Sequence, residues 1–372
     1  MSVEATLEVA VAVVGIALVA SLAAMVSARV VRAIAGRRRS RATQRLRPLL
    51  VAAAAGEPLP HTALGRIERR LLIDMAVEYL GKVRGEGSEA LRRLLAEQGG
   101  LDSMRGQLTD RSAVHRAHAA LVLGAAGDAA SRTGIEALLD DADFEVRATA
   151  VRSLGQLGDP HSVVAVLARV GHPGRPLAFG TVVMALVTIG PACIDDLLGV
   201  LGGGRTPGRQ VAAEALGLLD AVGAVDAIAR AAEHDDDAEV RIRSLRALGR
   251  LGSPRAVPVL VRALDAEVVG FRAVAARSLG VIGDGAGAVV DALTRAVAGP
   301  EVVVSVNAAQ ALAQLGEPGR VALESLVRPP DHASAGVVSP TGDLARTWVG
   351  PDVAVAEALA RLALNRPPGG TS

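Results

Sequence analysis

Apolar residues recur at intervals of three, four and seven positions in short segments between residues 114 and 330. The segment from Phe144 to Leu157 is typical, because its apolar positions are Val146, Ala150, Val151 and Leu154, with Leu157. This spacing places the apolar side chains on one stripe of an α-helix. The pattern therefore predicts an amphipathic helix over residues 144–157.

Polar residues and glycines lie at the positions where this helix is expected to begin and end. Asp141 or Asp143 can cap the N-terminus of the helix, and Gly158 can end it in the left-handed conformation. Pro160 can then open a second helix from its first turn, because proline fits that turn without losing a hydrogen bond. The second helix carries apolar residues between 163 and 167 and ends before Gly171.

The helix pair occurs seven times in succession. We take the first glycine of Leu154-Gly155-Gln156-Leu157-Gly158 as the marking position of a copy. The marking positions are Gly124, Gly155, Val187, Gly217, Gly249, Gly280 and Ala313, at spacings of 31, 32, 30, 32, 31 and 33 residues. A period of this size predicts an all-α fold, an α-solenoid of about seven stacked helix pairs.

An arginine recurs eight residues before the marking position, which we call the ladder position. It is present at Arg116, Arg147, Arg209, Arg241 and Arg272, and is replaced by Phe179 in the third copy and Ser305 in the seventh. With the terminal motif Leu-Gly-x-Leu-Gly-Asp-Pro, this pattern resembles the short bacterial HEAT repeat, also found in phycobilisome-lyase-type proteins. The resemblance covers about 220 residues and implies a repeat scaffold, but it implies no particular function.

The ladder arginines admit two interpretations. They could form a basic strip for a partner, or a structural ladder in which each arginine reaches acidic loop residues of the next copy, such as Asp140, Asp141, Asp235 or Asp236. We favour the structural ladder, because bidentate arginine–carboxylate pairs suit repeated interfaces. The acidic run 233–237 is accordingly interpreted as an inter-repeat loop near a helix N-terminus.

A second strong pattern is the apolar segment from Ala5 to Ala28, in which Glu8 is the only charged residue. A helix of ~20 apolar residues spans the hydrocarbon of a bilayer, so the segment predicts an N-terminal transmembrane helix. Eight arginines follow it: Arg29, Arg32, Arg37, Arg38, Arg39, Arg41, Arg45 and Arg47.

The position of these arginines predicts topology. A cleaved signal peptide carries its basic residues before the apolar core, the reverse of the order found here. The positive-inside rule instead predicts an outside N-terminus and a cytoplasmic body, on the inner membrane. Setting this orientation and contacting lipid headgroups are sufficient roles for the eight arginines. Nucleic-acid binding is the alternative.

The remaining segments predict the domain organisation. We expect a transmembrane helix at 1–28, an arginine-rich segment at 29–48, a helical cap at 49–107, the solenoid at 108–328, a loop at 329–351, a capping helix at 352–364 and a disordered tail at 365–372. Within the cap, one helix is expected from Thr62 to Lys82 and a second, capped by Ser88, from Glu89 to Gln98. Trp348, in the loop, is either an interface anchor or a lid on the last repeat.

The charge balance, the few aromatic residues and the single cysteine limit the classes of function expected for the chain. The chain has 40 basic and 39 acidic residues, and without the eight juxtamembrane arginines and the two early glutamates the balance is 32 to 37. Nucleic-acid binding along the solenoid is therefore not expected, because it needs a basic face and stacking aromatics. The single cysteine, Cys193, excludes an intrachain disulfide and suits a reducing compartment.

Motifs for catalysis are missing from the sequence. The only lysine, Lys82, precedes Val83 and so fits no phosphate-binding loop. His115 and His118 have a spacing that could chelate a metal, but no third ligand is indicated. We expect no enzymatic activity and no cofactor.

The architecture resembles single-span HEAT-repeat proteins of high-GC bacteria. That resemblance implies a membrane-anchored scaffold with a protein partner, and such proteins accompany membrane glycosyltransferases that build polysaccharides. The alternative is a maturation factor or enzyme similar to the HEAT-repeat lyases that attach bilin chromophores. No residue of this chain can be matched to a catalytic residue of those lyases.

Overall fold

A computed structural model describes residues 21, 25, 29, 41–55, 57, 64–80, 82–83, 85–98 and 101–327. All regular secondary structure within these residues is helical. The chain divides into two compact units, and the boundary along the chain lies between Asp128 and Ala129. We call them the N-terminal unit and the repeat unit and describe each by itself.

From residue 41 onward, the described part of the N-terminal unit contains five helices. They are α1 (41–54), α2 (Arg66–Leu80), α3 (Glu86–Gln98), α4 (Leu101–Gln107) and α5 (Ala113–Ala126). Long aliphatic side chains of α1, α2 and α3 form the core, and Val122 and Ala125 of α5 belong to the same cluster. Leu50, Leu91 and Leu95 in this cluster are fully buried.

Two sequence predictions for this unit are wrong in their details. Helix α2 begins at Arg66 rather than Thr62, and α3 begins at Glu86, so Ser88 lies within the first turn and does not cap it. Gly85 starts α3 instead: it has a positive φ of 68°, and its carbonyl accepts hydrogen bonds from the N–H groups of Ser88 and Glu89. Glycine adopts this conformation without strain.

The boundary between the units falls inside the segment 108–328 that was predicted to be one solenoid. Helix α5, the first helix of the first copy, belongs to the N-terminal unit. The physical reason is that α2, α3 and α4 pack against it and its apolar residues complete their core.

The repeat unit alternates two kinds of helix. The first helices of the copies are α7 (Phe144–Leu157), α9 (Phe179–Ile189), α11 (Thr206–Leu218), α13 (Ala238–Leu251), α15 (Val269–Ile282) and α17 (Val302–Gln314). The second helices are α6 (Arg132–Ala137), α8 (Ser162–Arg169), α10 (Ile194–Gly203), α12 (Val225–His234), α14 (Val257–Ala263), α16 (Gly287–Val297) and α18 (Glu317–Val327). With α5, the described residues thus contain the seven helix pairs that the period predicts.

The residues Asp143 and Gly158 at the two ends of α7 act as the sequence predicts, but Pro160 does not open the second helix. Asp143 caps the helix, because its side chain accepts hydrogen bonds from the N–H groups of Glu145 and Val146 at 2.8 and 3.3 Å. Gly158 ends it with φ 73°. Pro160 lies in a turn, and the second helix begins two residues later at Ser162.

The marking glycines allow neighbouring first helices to approach closely. A Cβ added at Gly155 would lie 2.8 Å from the Cα of Ala185, and one at Gly217 would lie 2.8 Å from the Cα of Ala247. Gly249 and Gly280 make the same approach to the next helix. The residue approached is always small and lies two positions before the next marking position. We call these positions the small-residue row: Ser153, Ala185, Ala215, Ala247, Ser278 and Ala311, all buried.

Much of the predicted membrane anchor lies outside the described residues. Of the span Ala5–Ala28, only residues 21 and 25 are described, and both are helical. Within the described residues, no single helix has the length and apolar composition needed to cross a bilayer. The bent pair Phe179–Ile189 and Pro191–Gly203, which turns by 108°, meets both criteria when its halves are combined. The loop 329–351, the helix 352–364 and the tail 365–372 are also outside the described residues.

Candidate functional site

Four of the five ladder arginines bind backbone carbonyls in the loop before their own helix. The exception is Arg241, whose Nε donates to the carbonyl of Ala232 within α12 at 3.1 Å and whose guanidinium stacks on Phe271. The Nη1 of Arg147 donates to the carbonyls of Asp141 and Ala142 at 2.8 and 3.1 Å. Arg116 and Arg272 make the same pair of bonds, six and five residues back. These carbonyls follow the preceding helix and need donors, so each arginine ties a loop to the helix that follows it.

Only part of the predicted arginine–carboxylate ladder is present. Arg209 makes a bidentate pair with Asp235 in the next copy, through Nε and Nη2 at 2.9 Å each, and it also contacts Asp236. Arg272 reaches Glu301 at 2.5 Å. The carboxylate of Asp140 instead accepts from Arg169 on α8. The ladder prediction therefore needs correction: carbonyls are the recurring acceptors, because the loop backbone repeats in every copy while acidic side chains do not.

The Arg209–Asp235 pair perturbs both ionisations. Burial of the Asp235 carboxylate opposes its charge, but the hydrogen bonds from Arg209 and from the N–H of Asp237 outweigh burial and lower its pKa. The hydrogen bond to Asp235 raises the pKa of Arg209. Next to them, Asp237 caps α13 and accepts from Gln210 at 3.0 Å, and these bonds lower its pKa.

The two copies without a ladder arginine differ from each other. In the seventh copy, the Oγ of Ser305 lies 3.2 Å from the carbonyl of Gly299, six residues back, so a short hydroxyl takes the arginine's acceptor. In the third copy, the ring of Phe179 stacks on the guanidinium of Arg243, with 4.1 Å between Cζ and the ring centroid. The sequence did not predict this contact.

The candidate metal ligands do not converge. His115 lies 3.2 Å from Asp110, whereas His118 lies 3.0 Å from Asp74. Among the residues that the structure describes, no group of three His, Cys, Asp or Glu side chains could hold a metal ion. The thiol of Cys193 is buried and hydrogen-bonded to the carbonyl of Gly190 at 3.1 Å, and burial raises its pKa.

The second helices carry charges that pair with each other across neighbouring copies. Arg169 of α8 pairs with Asp140. Arg262 of α14 pairs with Glu233 of α12 at 2.5 Å, and Arg255 pairs with Asp226 of α12. Arg255, Asp226 and Arg262 are more than half exposed, so these pairs place matched charges on the second-helix surface.

The first helices carry an excess of positive charge. In α7, α9, α11, α13, α15 and α17 together there are nine arginines and three glutamates. Four of these arginines are the ladder residues Arg147, Arg209, Arg241 and Arg272. The others include three on α13, which surround one glutamate of α11. We call these four residues the arginine cluster: Glu214, Arg243, Arg246 and Arg250.

Glu214 organises the arginine cluster. Its side chain is only 11 % exposed. One carboxylate oxygen accepts from Arg250 at 2.6 Å, and the other accepts from Arg243 at 3.2 Å. Arg246 stands 3.7 Å from the same carboxylate, beyond hydrogen-bond distance. Three guanidinium groups thus share one largely buried carboxylate.

Arg243 is held more firmly than the other two arginines. It also pairs with Glu239 at 2.6 Å, and it stacks on Phe179. Its side chain is 20 % exposed, whereas those of Arg246 and Arg250 are 42 % and 38 % exposed. The cluster therefore has one anchored arginine and two that face solvent.

The residues predicted to contact lipid are only partly described. Arg29 and Arg41 are helical and exposed. Arg32, Arg37, Arg38 and Arg39 lie outside the described residues, as does Trp348, the predicted interface anchor. Their roles stay predictions.

The helix pairs and their small-residue contacts define the class of protein as an α-helical repeat protein. Residues 101–187 and 194–280 match the family described as HEAT repeats. These two segments therefore carry HEAT repeats, as the ladder and marking positions predict. No curated protein matches this chain in sequence.

Several solved structures are similar to the chain at low identity. Human deoxyhypusine hydroxylase in complex with glycerol is 19% identical, over 82% of this chain and 98% of that one, with a TM-score of 0.29. The complex of CpcE and CpcF of phycocyanin lyase from Nostoc sp. PCC7120 is 21% identical, over 72% and 97%, with a TM-score of 0.27. An engineered protein is 18% identical, over 85% and 87%, with a TM-score of 0.37.

Proposed function

We propose that this chain is a non-enzymatic scaffold, anchored to the inner membrane by residues 5–28, that binds a protein partner on the cytoplasmic face. The observation that carries the proposal is the surplus of exposed arginine on the first helices. These side chains take no part in the small-residue row, through which the first helices pack closely. HEAT repeats generally mediate protein–protein interaction, which supports a binding role.

Membrane anchoring rests on the sequence. The apolar segment Ala5–Ala28 and the arginines after it support a single span with the N-terminus outside. A phosphatase reporter fused after Ser372 should be inactive, because this enzyme needs the periplasm, while a green fluorescent protein at the same place should fluoresce. Activity of the phosphatase fusion would contradict the orientation.

An integral membrane glycosyltransferase for polysaccharide synthesis is the partner class we propose. It rests on the resemblance to single-span HEAT-repeat proteins of high-GC bacteria. The test is crosslinking of the full chain in intact membranes, followed by mass spectrometry of the crosslinked proteins. Recovery of one membrane glycosyltransferase, with no such recovery from cells that lack the chain, supports the proposal.

The alternative, an enzyme or maturation factor similar to bilin lyases, makes a different prediction. The chain would then act catalytically on an isolated substrate, and a change of the partner-binding surface would leave that turnover intact. Turnover of a bilin and an acceptor protein by the purified chain would overturn the scaffold proposal.

A further inference from the structure

The arginine cluster brings like charges together on an acidic background. Residues 129–327 carry 18 arginines and 23 acidic residues, so the repeat unit as a whole is negative. Within it, Arg243, Arg246 and Arg250 share Glu214, and Glu239 is the one further carboxylate that pairs with them. Three guanidinium groups against two carboxylates leave a local positive charge.

Arg246 and Arg250 keep most of their hydrogen-bonding capacity. A guanidinium group has five N–H donors in a fork that fits a carboxylate. Arg250 uses Nη1 for Glu214, and Arg246 makes no hydrogen bond at its distance of 3.7 Å. The two residues are four positions apart on α13, so their side chains lie next to each other on one helix face.

The rest of the site positions these two arginines. Both carboxylate oxygens of Glu214 accept hydrogen bonds, from Arg250 and Arg243. Glu214 thus holds the arginines together, but its single negative charge does not neutralise all of them. Arg243 is fixed between Glu214, Glu239 and the ring of Phe179. Such preorganisation lowers the entropy that a ligand would otherwise have to overcome.

We propose that Arg246 and Arg250, positioned by Glu214, bind an acidic segment of the partner protein through its Asp or Glu carboxylates. The inference rests on the proposed function and names the surface and the chemistry of the partner. Apolar groups near the site suit a peptide: Leu218 lies one turn after Glu214 on α11 and is 41% exposed. In the next copy, the exposed Arg277 occupies the register of Arg246 and extends the positive surface.

A protein segment fits the site better than a nucleic acid. A nucleic acid would need a basic groove that follows its phosphates, and stacking aromatics for its bases. The repeat unit is acidic, and the aromatic ring at the cluster, Phe179, is covered by Arg243. A short acidic segment needs only the few donors that the cluster offers.

The test measures binding of a fluorescent glutamate-rich peptide to the full-length chain by fluorescence anisotropy. The variant is R246Q/R250Q, and the matched control is R255Q/R262Q, which makes the same charge change on the second-helix surface. We expect at least about tenfold weaker binding for the first variant, because charge-assisted bidentate bonds are strong. The control should change binding by less than about twofold, since it removes ion pairs on the second-helix surface, where such pairs contribute little.

Further controls separate binding from folding and from general charge. Both variants should keep the wild-type helical content in circular dichroism, although R246Q/R250Q should unfold at a lower temperature because Arg250 no longer pairs with the largely buried Glu214. R246K/R250K, which keeps the charge but not the fork, should bind with intermediate affinity. The same peptide with glutamine in place of every glutamate should not bind. Equal binding of the two peptides, equal weakening by both double variants, or a larger loss of single-stranded oligonucleotide binding than of peptide binding in R246Q/R250Q would each overturn the proposal.

Crosslinking in membranes separates this inference from the proposed function. If R246Q/R250Q crosslinks to the partner as well as wild type does, the scaffold function stands and the assigned site is wrong. If wild type captures no partner, the scaffold proposal fails, and the peptide titration alone decides whether the cluster binds acidic segments.

Discussion

The two rows of helices in the repeat unit are joined by different interactions. Neighbouring first helices meet at a marking glycine and a buried small residue, so their backbones approach closely. Neighbouring second helices are bridged at their surface by exposed ion pairs such as Arg255–Asp226. Close packing is sensitive to a single added methyl group, whereas exposed ion pairs contribute little to stability. Most of the sensitivity of the fold therefore lies in the first-helix row.

The largest effect should follow from a side chain at a marking glycine. Gly217→Val would place its Cβ 2.8 Å from both the Cα and the Cβ of Ala247. We expect a loss of ~3 kcal/mol in unfolding free energy, because overpacking forces the helices apart. Chemical denaturation of the full chain measures it.

The matched control is Gly199→Val. Gly199 lies in second helix α10, and no atom lies within 4 Å of a Cβ placed there. Replacing glycine in an open helical position is about neutral or slightly stabilising. Equal destabilisation by the two substitutions would contradict the assignment of the packing to the first helices.

A smaller loss is expected from Arg209→Ala in the ladder. Arg209 is 15% exposed, and its removal leaves the largely buried carboxylate of Asp235 and the carbonyl of Gly204 without this donor. We expect ~2 kcal/mol, since breaking a mostly buried ion pair leaves an uncompensated charge. If Arg209→Ala unfolds at the wild-type denaturant concentration, the ladder does not stabilise the stack.

Acid should produce a smaller effect through the same loop. The pKa values of Asp235 and Asp237 lie below their usual value of 3.8. Their stabilising contribution is therefore complete above pH ~4 and is lost as pH falls through the lowered folded-state values. We expect the difference in unfolding free energy between wild type and Asp235→Asn to become smaller as pH falls through this range. A difference that does not change with pH would contradict the lowered pKa.

The smallest effect is expected on the second-helix surface. Arg255 and Asp226 are 62% and 69% exposed. A double-mutant cycle with alanine should give a coupling of at most ~0.5 kcal/mol, because solvent screens the pair. A coupling as large as the Arg209→Ala effect would remove the difference between the two rows.

The sequence predicted the repeat because its signals are local. The Asp143 cap and the Gly158 C-cap depend on residues a few positions apart, and the same local pattern recurs in each copy; the structure confirms both caps. The sequence shows that glycine recurs at the marking position, but it does not show why. Glycine is needed there because Ala185 or Ala247 of the next copy approaches closely, and this approach depends on tertiary packing. The start of α3 was missed because Ser88 is a good cap residue, whereas the positive φ of Gly85 decides the boundary.

The site was harder to predict than the fold. A guanidinium group can donate to a carbonyl or a carboxylate, and the residue type alone does not choose between them. The sequence therefore predicted carboxylate partners for all ladder arginines, although Arg147 binds carbonyls of its own loop. The arginine cluster was missed because Glu214 is in the fourth copy and its three arginines are in the fifth, so their contact depends on how neighbouring first helices pack.

The third copy has a mechanical consequence for the stack. It has neither a ladder arginine nor a marking glycine, since Phe179 and Val187 occupy those positions, and α9 and α11 pack over a shorter stretch than the other neighbouring first helices. A chain held at one end and pulled at the other carries the same force through every interface. We therefore expect rupture to begin between α9 and α11. A pulling experiment would record this rupture as the first extension step, and Val187→Gly should move that step to higher force.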